Sequence, residues 1–238
     1  MNPTIELMNA RSSTRAYDPA PLSDEEKQAI LHTTMRAPTA GNLMLYSIIE
    51  IEDQALKDRL AVTCDDQPFI ARAPWVLVFV ADYQKWIDLF AVSGVDRLPG
   101  VRHRGAPGPG DLLLACSDAL IAAQNAVIAA ESLGIGSCYI GDVLEQAEEH
   151  AELLGLPDHT LPIAMLCFGR PAKPRPPLRT TSSTWCTRTA TAASAPKSCA
   201  KPLTSSRSST RRAAFGRASR TSARTSTCAS TPRASPTN

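Results

Sequence analysis

The chain lacks most of the features that would declare a function outright. Its seven cysteines are odd in number and show no CxxC and no Cys/His ligand spacing, so neither a disulfide framework nor a zinc site is expected. No Ser/His/Asp or paired-carboxylate arrangement is evident, and the four histidines are scattered. The formal charge is only +2, which argues for neither nucleic acid nor a membrane surface as a partner. The opening MNPTIELMNA has no charged and apolar leader, so a cytoplasmic chain is expected. Cys116, Cys138 and Cys167 sit in apolar runs and read as small buried thiols.

Two stretches lack something more local. Residues 111–133 contain no Pro or Gly and are rich in Leu and Ala, strong credentials for a helix. Polar pairs recur there once per heptad (Ser117/Asp118, Gln124/Asn125, Glu131/Ser132), leaving a thin polar stripe on an otherwise apolar rod. That pattern predicts a buried core helix. A membrane span has the required length, but Asp118, Gln124, Asn125 and Glu131 break every apolar run, which argues against it. The Gly134-Ile135-Gly136 turn that follows is expected to let backbone approach something flat or bulky.

Beyond about Leu178 the aliphatic residues almost vanish. The stretch 179–238 is Ser, Thr, Ala, Arg and Pro, too polar to bury a core, and disorder is expected there. A basic nucleic-acid-binding arm is one alternative, disfavoured because aromatics for stacking on bases are not interleaved with the arginines.

Taken in order, residues 3–9 predict a short helix, then Arg11-Ser12-Ser13-Thr14-Arg15 offers forked guanidinium and hydroxyl donors suited to one phosphate. Ser23-Asp24-Glu25-Glu26 is a capping box ahead of a helix with Ile30, Leu31 and Met35 on one face. Pro38 ends it and opens the loop APTAGN, 37–42. Strands are expected at 47–51, 75–81 and 161–168, and helices at 54–62, 84–90 and from Asp142 through Leu154. The Gly- and Pro-loaded segment 93–110 is a candidate lid, with Arg97, Arg102, His103 and Arg104 read equally as cations for a nucleotide phosphate or as a solvated basic loop. Helices alternating with strands that are apolar on both faces give a mixed α and β class.

Several of these pieces together resemble the nitroreductase family of flavin mononucleotide (FMN)-dependent oxidoreductases. They are RSSTR at 11–15, APTAGN at 37–42, the strands at 47–51 and 75–81, and AAQNAVIAAESLGIGSCYIGD at 122–142. The likeness covers about residues 5–178. It implies an α+β fold: a central, mostly antiparallel sheet surrounded by helices around a long buried core helix, homodimeric, with FMN at the subunit interface. The expected domains are an FMN-binding domain at 1–178 and the low-complexity tail at 179–238.

The resemblance assigns FMN phosphate and ribityl contacts to Arg11, Ser12, Ser13 and Arg15. It gives Pro38, Thr39 and Asn42 to a flavin-facing loop from the partner subunit, and Tyr139, Ile140 and Gly141 to the segment over the isoalloxazine. Arg175 or Arg179 would add a phosphate contact. Gly141 is apt, because a missing Cβ permits close approach to a planar ring. NAD(P)H is the implied co-substrate, with nitroaromatics, quinones or flavins as small-molecule acceptors and no role for nucleic acid or membrane. One departure stands out: many relatives follow the Asn with Gln-Pro-Trp, whereas Leu43-Met44-Leu45-Tyr46 stands here.

Such proteins usually continue into a segment that wraps the dimer, and this tail reads instead like a GC-rich gene in a shifted frame. Codons permitted for residues 184–193, read one base earlier from Trp185, give Val-Val-His-Glu-Asn-Arg-Tyr-Arg-Arg. A frameshift near 178–184 is therefore the expectation. It leaves open a homologue that binds flavin without turnover.

Overall fold

The computed structural model describes residues 2–100 and 106–173, all within the unit Met1–Thr181. The lid cations Arg102, His103 and Arg104, the phosphate candidates Arg175 and Arg179, and the tail lie outside the described residues.

Four strands form one antiparallel sheet in the order β1-β2-β4-β3: β1 Tyr46–Glu50, β2 Trp75–Asp82, β3 Gly136–Ile140 and β4 Thr160–Gly169. The two central strands are continuous apolar runs because both faces are covered. Alternation along β2 separates the two cores: Trp75, Leu77, Phe79 and Ala81 face one side, Val76, Val78 and Val80 the other. A bulge between Phe79 and Val80 accommodates Pro162 of β4, which has no amide to give to the ladder.

On the first face lie α2 (Asp24–Thr34) and the 24-residue α6 (Pro109–Ser132). The other face is covered by α3 (Gln54–Thr63), the short α4 (Pro68–Ala71) and residues around α7 (Ala147–Leu153). Helices α1 (Pro3–Ala10) and α5 (Gln84–Ser93) complete the set. The capping box is present with both of its hydrogen bonds, Glu26 N to Ser23 Oγ at 3.3 Å and Ser23 N to Glu26 Oε2 at 2.9 Å.

Several expectations need correcting. The core helix is buried on one face only. That face is alanine (Ala115, Ala119, Ala122, Ala123, Ala126, Ala130) with Asp118 among them, whereas Leu113, Leu120 and Ile121 are exposed in the single chain. Small side chains let the helix approach the strands closely, which leucines would prevent. It is also the one described helix long and apolar enough to cross a membrane, and its alanine face packs on the sheet. Met35 is exposed, the chain having left the helix at Thr34. The helix expected from Asp142 through Leu154 is broken into a 3₁₀ turn, Asp142–Leu144, and α7. Helix α6 starts at Pro109, inside the expected lid. Gly136 does approach something closely, but that something is Thr14 of the same chain.

Candidate functional site

The Arg/Ser segment is seated by backbone. Ser13 forms a parallel bridge with Ser137 of β3, and Thr14 N donates to Ser137 O at 2.9 Å. Farther on, Tyr17 bridges Pro171 and its hydroxyl donates to Thr14 O at 2.7 Å. Isolated bridges thus tie Ser13 to β3 and Tyr17 to Pro171, just past the end of β4. The fit is close: a Cβ on Gly136 would fall 2.2 Å from Thr14 Oγ1, a buried hydroxyl with no hydrogen-bond partner among the described residues.

This seating brings two cations to one strand. Burial pushes the Cys138 thiol up, while the Arg15 and Arg11 guanidiniums and the Ser13 hydroxyl pull it down. The Tyr139 phenol is pushed up to about 12 by burial, against the pull of Arg11. Arg15 also sits 5.9 Å from the centroid of the Phe69 ring. Ser12 and Thr14 are buried, Ser13 and Arg15 exposed, and Arg11 half-buried. The cluster is rich in forked and hydroxyl donors, the chemistry a phosphate monoester requires.

β3 ends at the second group of expected residues. Tyr139 is partly open, with its hydroxyl 3.4 Å from Gln124 Oε1. Ile140 points into the core and can serve the site only through its backbone. Gly141 has an ordinary φ of −84° and no atom within 4 Å of where a Cβ would stand. Neither conformation nor internal packing demands glycine there. The missing side chain leaves the backbone open to something outside the chain, as FMN would need. Donor set and open backbone together fit the cofactor.

Behind Gly141 lies a buried polar frame that the sequence reading passed over. His150 is fully buried. Its Nδ1 lies 2.8 Å from Val143 O, an acceptor, so Nδ1 carries a proton, and its Nε2 lies 2.8 Å from Thr63 Oγ1. Gln67 Nε2 donates to Asp142 Oδ2 at 3.0 Å, and Gln146 Nε2 to Thr63 O at 2.8 Å. These bonds pin residues 142–146 to the end of α3. Replacing His150 by Leu is expected to cost about 1–3 kcal/mol, read from urea unfolding, because the buried Val143 O loses its His150 partner. A loss below about 1 kcal/mol would mean that the frame is not needed.

The third group does not join the others. Residues 37–45 enter β1, the edge strand opposite β3, at the end where Tyr46 pairs with Ala81. Three strand spacings, ~14 Å, separate β1 from β3. Pro38 and Thr39 form the approach, and Asn42 lies in a 3₁₀ turn with φ 57°. A cavity of about 430 Å³ opens at that same strand end, between Ala81, Leu161, Tyr83, Leu112 and His159, away from Arg11 and Arg15.

Comparison with known proteins gives the same frame. The profile of the nitroreductase family matches residues 8–170. An oxygen-insensitive NADPH nitroreductase of Salmonella typhimurium is 36% identical over 182 residues, 74% of this chain and 71% of that one. An FMN reductase [NAD(P)H] of Bacillus subtilis is 32% identical over 74% of this chain and 71% of its own length. The solved NADPH:FMN oxidoreductase from Vibrio harveyi complexed with NAD+ superposes with a TM-score of 0.67 at 31% identity, covering 76% of this chain and 73% of that one.

Proposed function

The chain belongs to the nitroreductase family, and from that premise we infer that it is an FMN-dependent NAD(P)H oxidoreductase acting on small-molecule acceptors of the nitroaromatic, quinone or flavin type. The observation that carries this reading is the Ser13–Ser137 bridge, which sets the Arg/Ser segment beside the strand that ends at the open Gly141 backbone. When bound, FMN supplies the hydride chemistry at its N5, between the nicotinamide and the acceptor. The chain's own residues bind and orient it. Arg11 and Arg15 neutralise the phosphate with forked donors, Ser12 and Ser13 add hydroxyls, and the Tyr139–Gly141 backbone meets the ring.

Asn42 belongs to the same reading, through a second copy of the chain. Its loop and Arg11 lie on the sides of opposite edges of one sheet, which supports a site shared between two subunits. The exposed Leu113, Leu120 and Ile121 on α6 support a homodimer, since an apolar stripe of this kind is seldom left in water. A cytoplasmic location accords with this chemistry.

The test is an absorbance spectrum of the full chain with FMN, taken anaerobically before and after NADPH, then NADH. Flavin bands that bleach are expected. A yellow protein that neither nucleotide bleaches would overturn the reductase reading and favour flavin binding without turnover. The tail's composition keeps that second reading in play, because the family match ends at residue 170 and the sequence beyond 178 looks frame-shifted. Repeating the spectrum with the frame-corrected chain separates a wrong reading from a disabled site.

A further inference from the structure

The loop that carries Asn42 is held in a conformation that its own sequence disfavours. Gly41, Asn42 and Met44 have φ of 57°, 57° and 49°. Glycine adopts the left-handed region freely; Asn tolerates it and Met does not. Two such residues within three positions persist only where their surroundings impose them.

The amides show what imposes it. Within the loop, Asn42 N donates to Thr39 O at 3.2 Å, Leu43 N to Ala40 O at 3.0 Å, and Met44 N to Thr39 Oγ1 at 3.3 Å. The two flanking amides both end on one carboxylate: Ala40 N on Asp118 Oδ1 and Leu45 N on Asp118 Oδ2, each at 3.2 Å. Asp118 is 2% exposed and stands on the alanine face of α6. Those amides are its hydrogen-bond partners among the described residues. The Lys85 ammonium is held on Tyr46 O at 2.7 Å; burial pulls its pKa down, against the Asp82 and Asp118 carboxylates. A buried carboxylate without such partners would be strongly disfavoured, so its position and the loop's shape fix each other.

We propose that Asp118 is a positioning residue: by gripping the loop at Ala40 and Leu45 it holds Asn42 in the left-handed conformation that presents its side chain to the flavin of the partner subunit. The proposal rests on the reading that this loop meets FMN. It assigns a buried acid in the core helix to cofactor binding, although that acid touches no ligand.

Two measurements on the full chain test it. In the protein without FMN, Asp118→Asn is expected to speed amide hydrogen exchange across residues 40–45 about tenfold or more, with β2 and β4 unchanged. Unchanged exchange in the loop would overturn the grip. FMN dissociation constants, from quenching of flavin fluorescence, then form a cycle with Asn42→Ala. Each single variant is expected to weaken binding about tenfold and the double variant no more than Asn42→Ala alone, because both act through one side chain. A double variant weakened about a hundredfold, or an Asp118→Asn chain that binds as wild type, would overturn the proposal. If Asn42→Ala binds FMN unchanged, the reading of the loop fails instead, and the exchange rates still decide the grip. Should Asp118→Asn fail to fold, Asp118→Glu, which keeps the charge but displaces the carboxylate from the Ala40 and Leu45 amides, carries the same cycle with the same expected outcome.

Discussion

Replacing Arg11 and Arg15 together by alanine is expected to raise the FMN dissociation constant about a hundredfold or more, with the melting temperature of the protein without FMN nearly unchanged. Burial pushes the Cys138 thiol up, and both guanidiniums and the Ser13 hydroxyl act on it in the opposite direction. A charge-assisted hydrogen bond to a phosphate is worth ~1.5–3 kcal/mol, so losing two at the low end removes ~3 kcal/mol, and ~1.4 kcal/mol is tenfold in affinity. Salt supplies the control: the wild-type affinity should fall with ionic strength more steeply than that of the double variant, because partly exposed charges are screened. Riboflavin, which lacks the phosphate, should bind both proteins alike. A double variant that binds FMN as tightly as wild type would remove the Arg/Ser segment from the site.

The second large effect is steric. Gly136→Ala places a Cβ 2.2 Å from Thr14 Oγ1 and 2.8 Å from Thr14 Cβ, both far inside contact distance. Thr14 is 4% exposed and its backbone is tied to Ser137, so the side chain cannot swing clear without lifting the segment from β3. Overpacking of this kind costs ~1–3 kcal/mol and occasionally more, and a double contact with one side chain belongs at the upper end. FMN affinity should fall with stability, because the displaced segment carries Arg11 and Arg15. Thr14→Ala in the same chain removes Oγ1, the nearer contact, but keeps Cβ at 2.8 Å, and should restore part of the loss. A thermal melt of the two single variants and the double variant reads this directly. If Gly136→Ala melts with wild type, the 11–15 segment does not lie on β3 as described.

The candidate site was legible only in part. RSSTR offers donors suited to an anion, but by itself reads more commonly as an exposed turn, and it was the resemblance that gave it and Gly141 a flavin role. Asp118 and His150 were not legible in the same way. A lone acid on a helix reads as part of a solvated stripe until one knows which side faces the sheet. In α6 the more hydrophobic Leu and Ile side is the open one and the alanine side is inward, which reverses the usual guess. His150 is the same case: its role comes from Val143 O and Thr63 Oγ1, and the latter lies 87 positions away.

The sequence by itself determined the class of fold, the central strands, the long helix and the family, because these follow from local periodicity and from motifs whose order is preserved. It also marked the change of composition near 178, which folding has no part in. Only the tertiary structure decided which faces turn inward and which distant groups share a bond. It set the Arg/Ser segment against β3 and put Asn42 at the opposite edge of the sheet. The physical reason is that burial and hydrogen bonding depend on where the chain returns to itself, and nothing in a window of neighbouring residues records that.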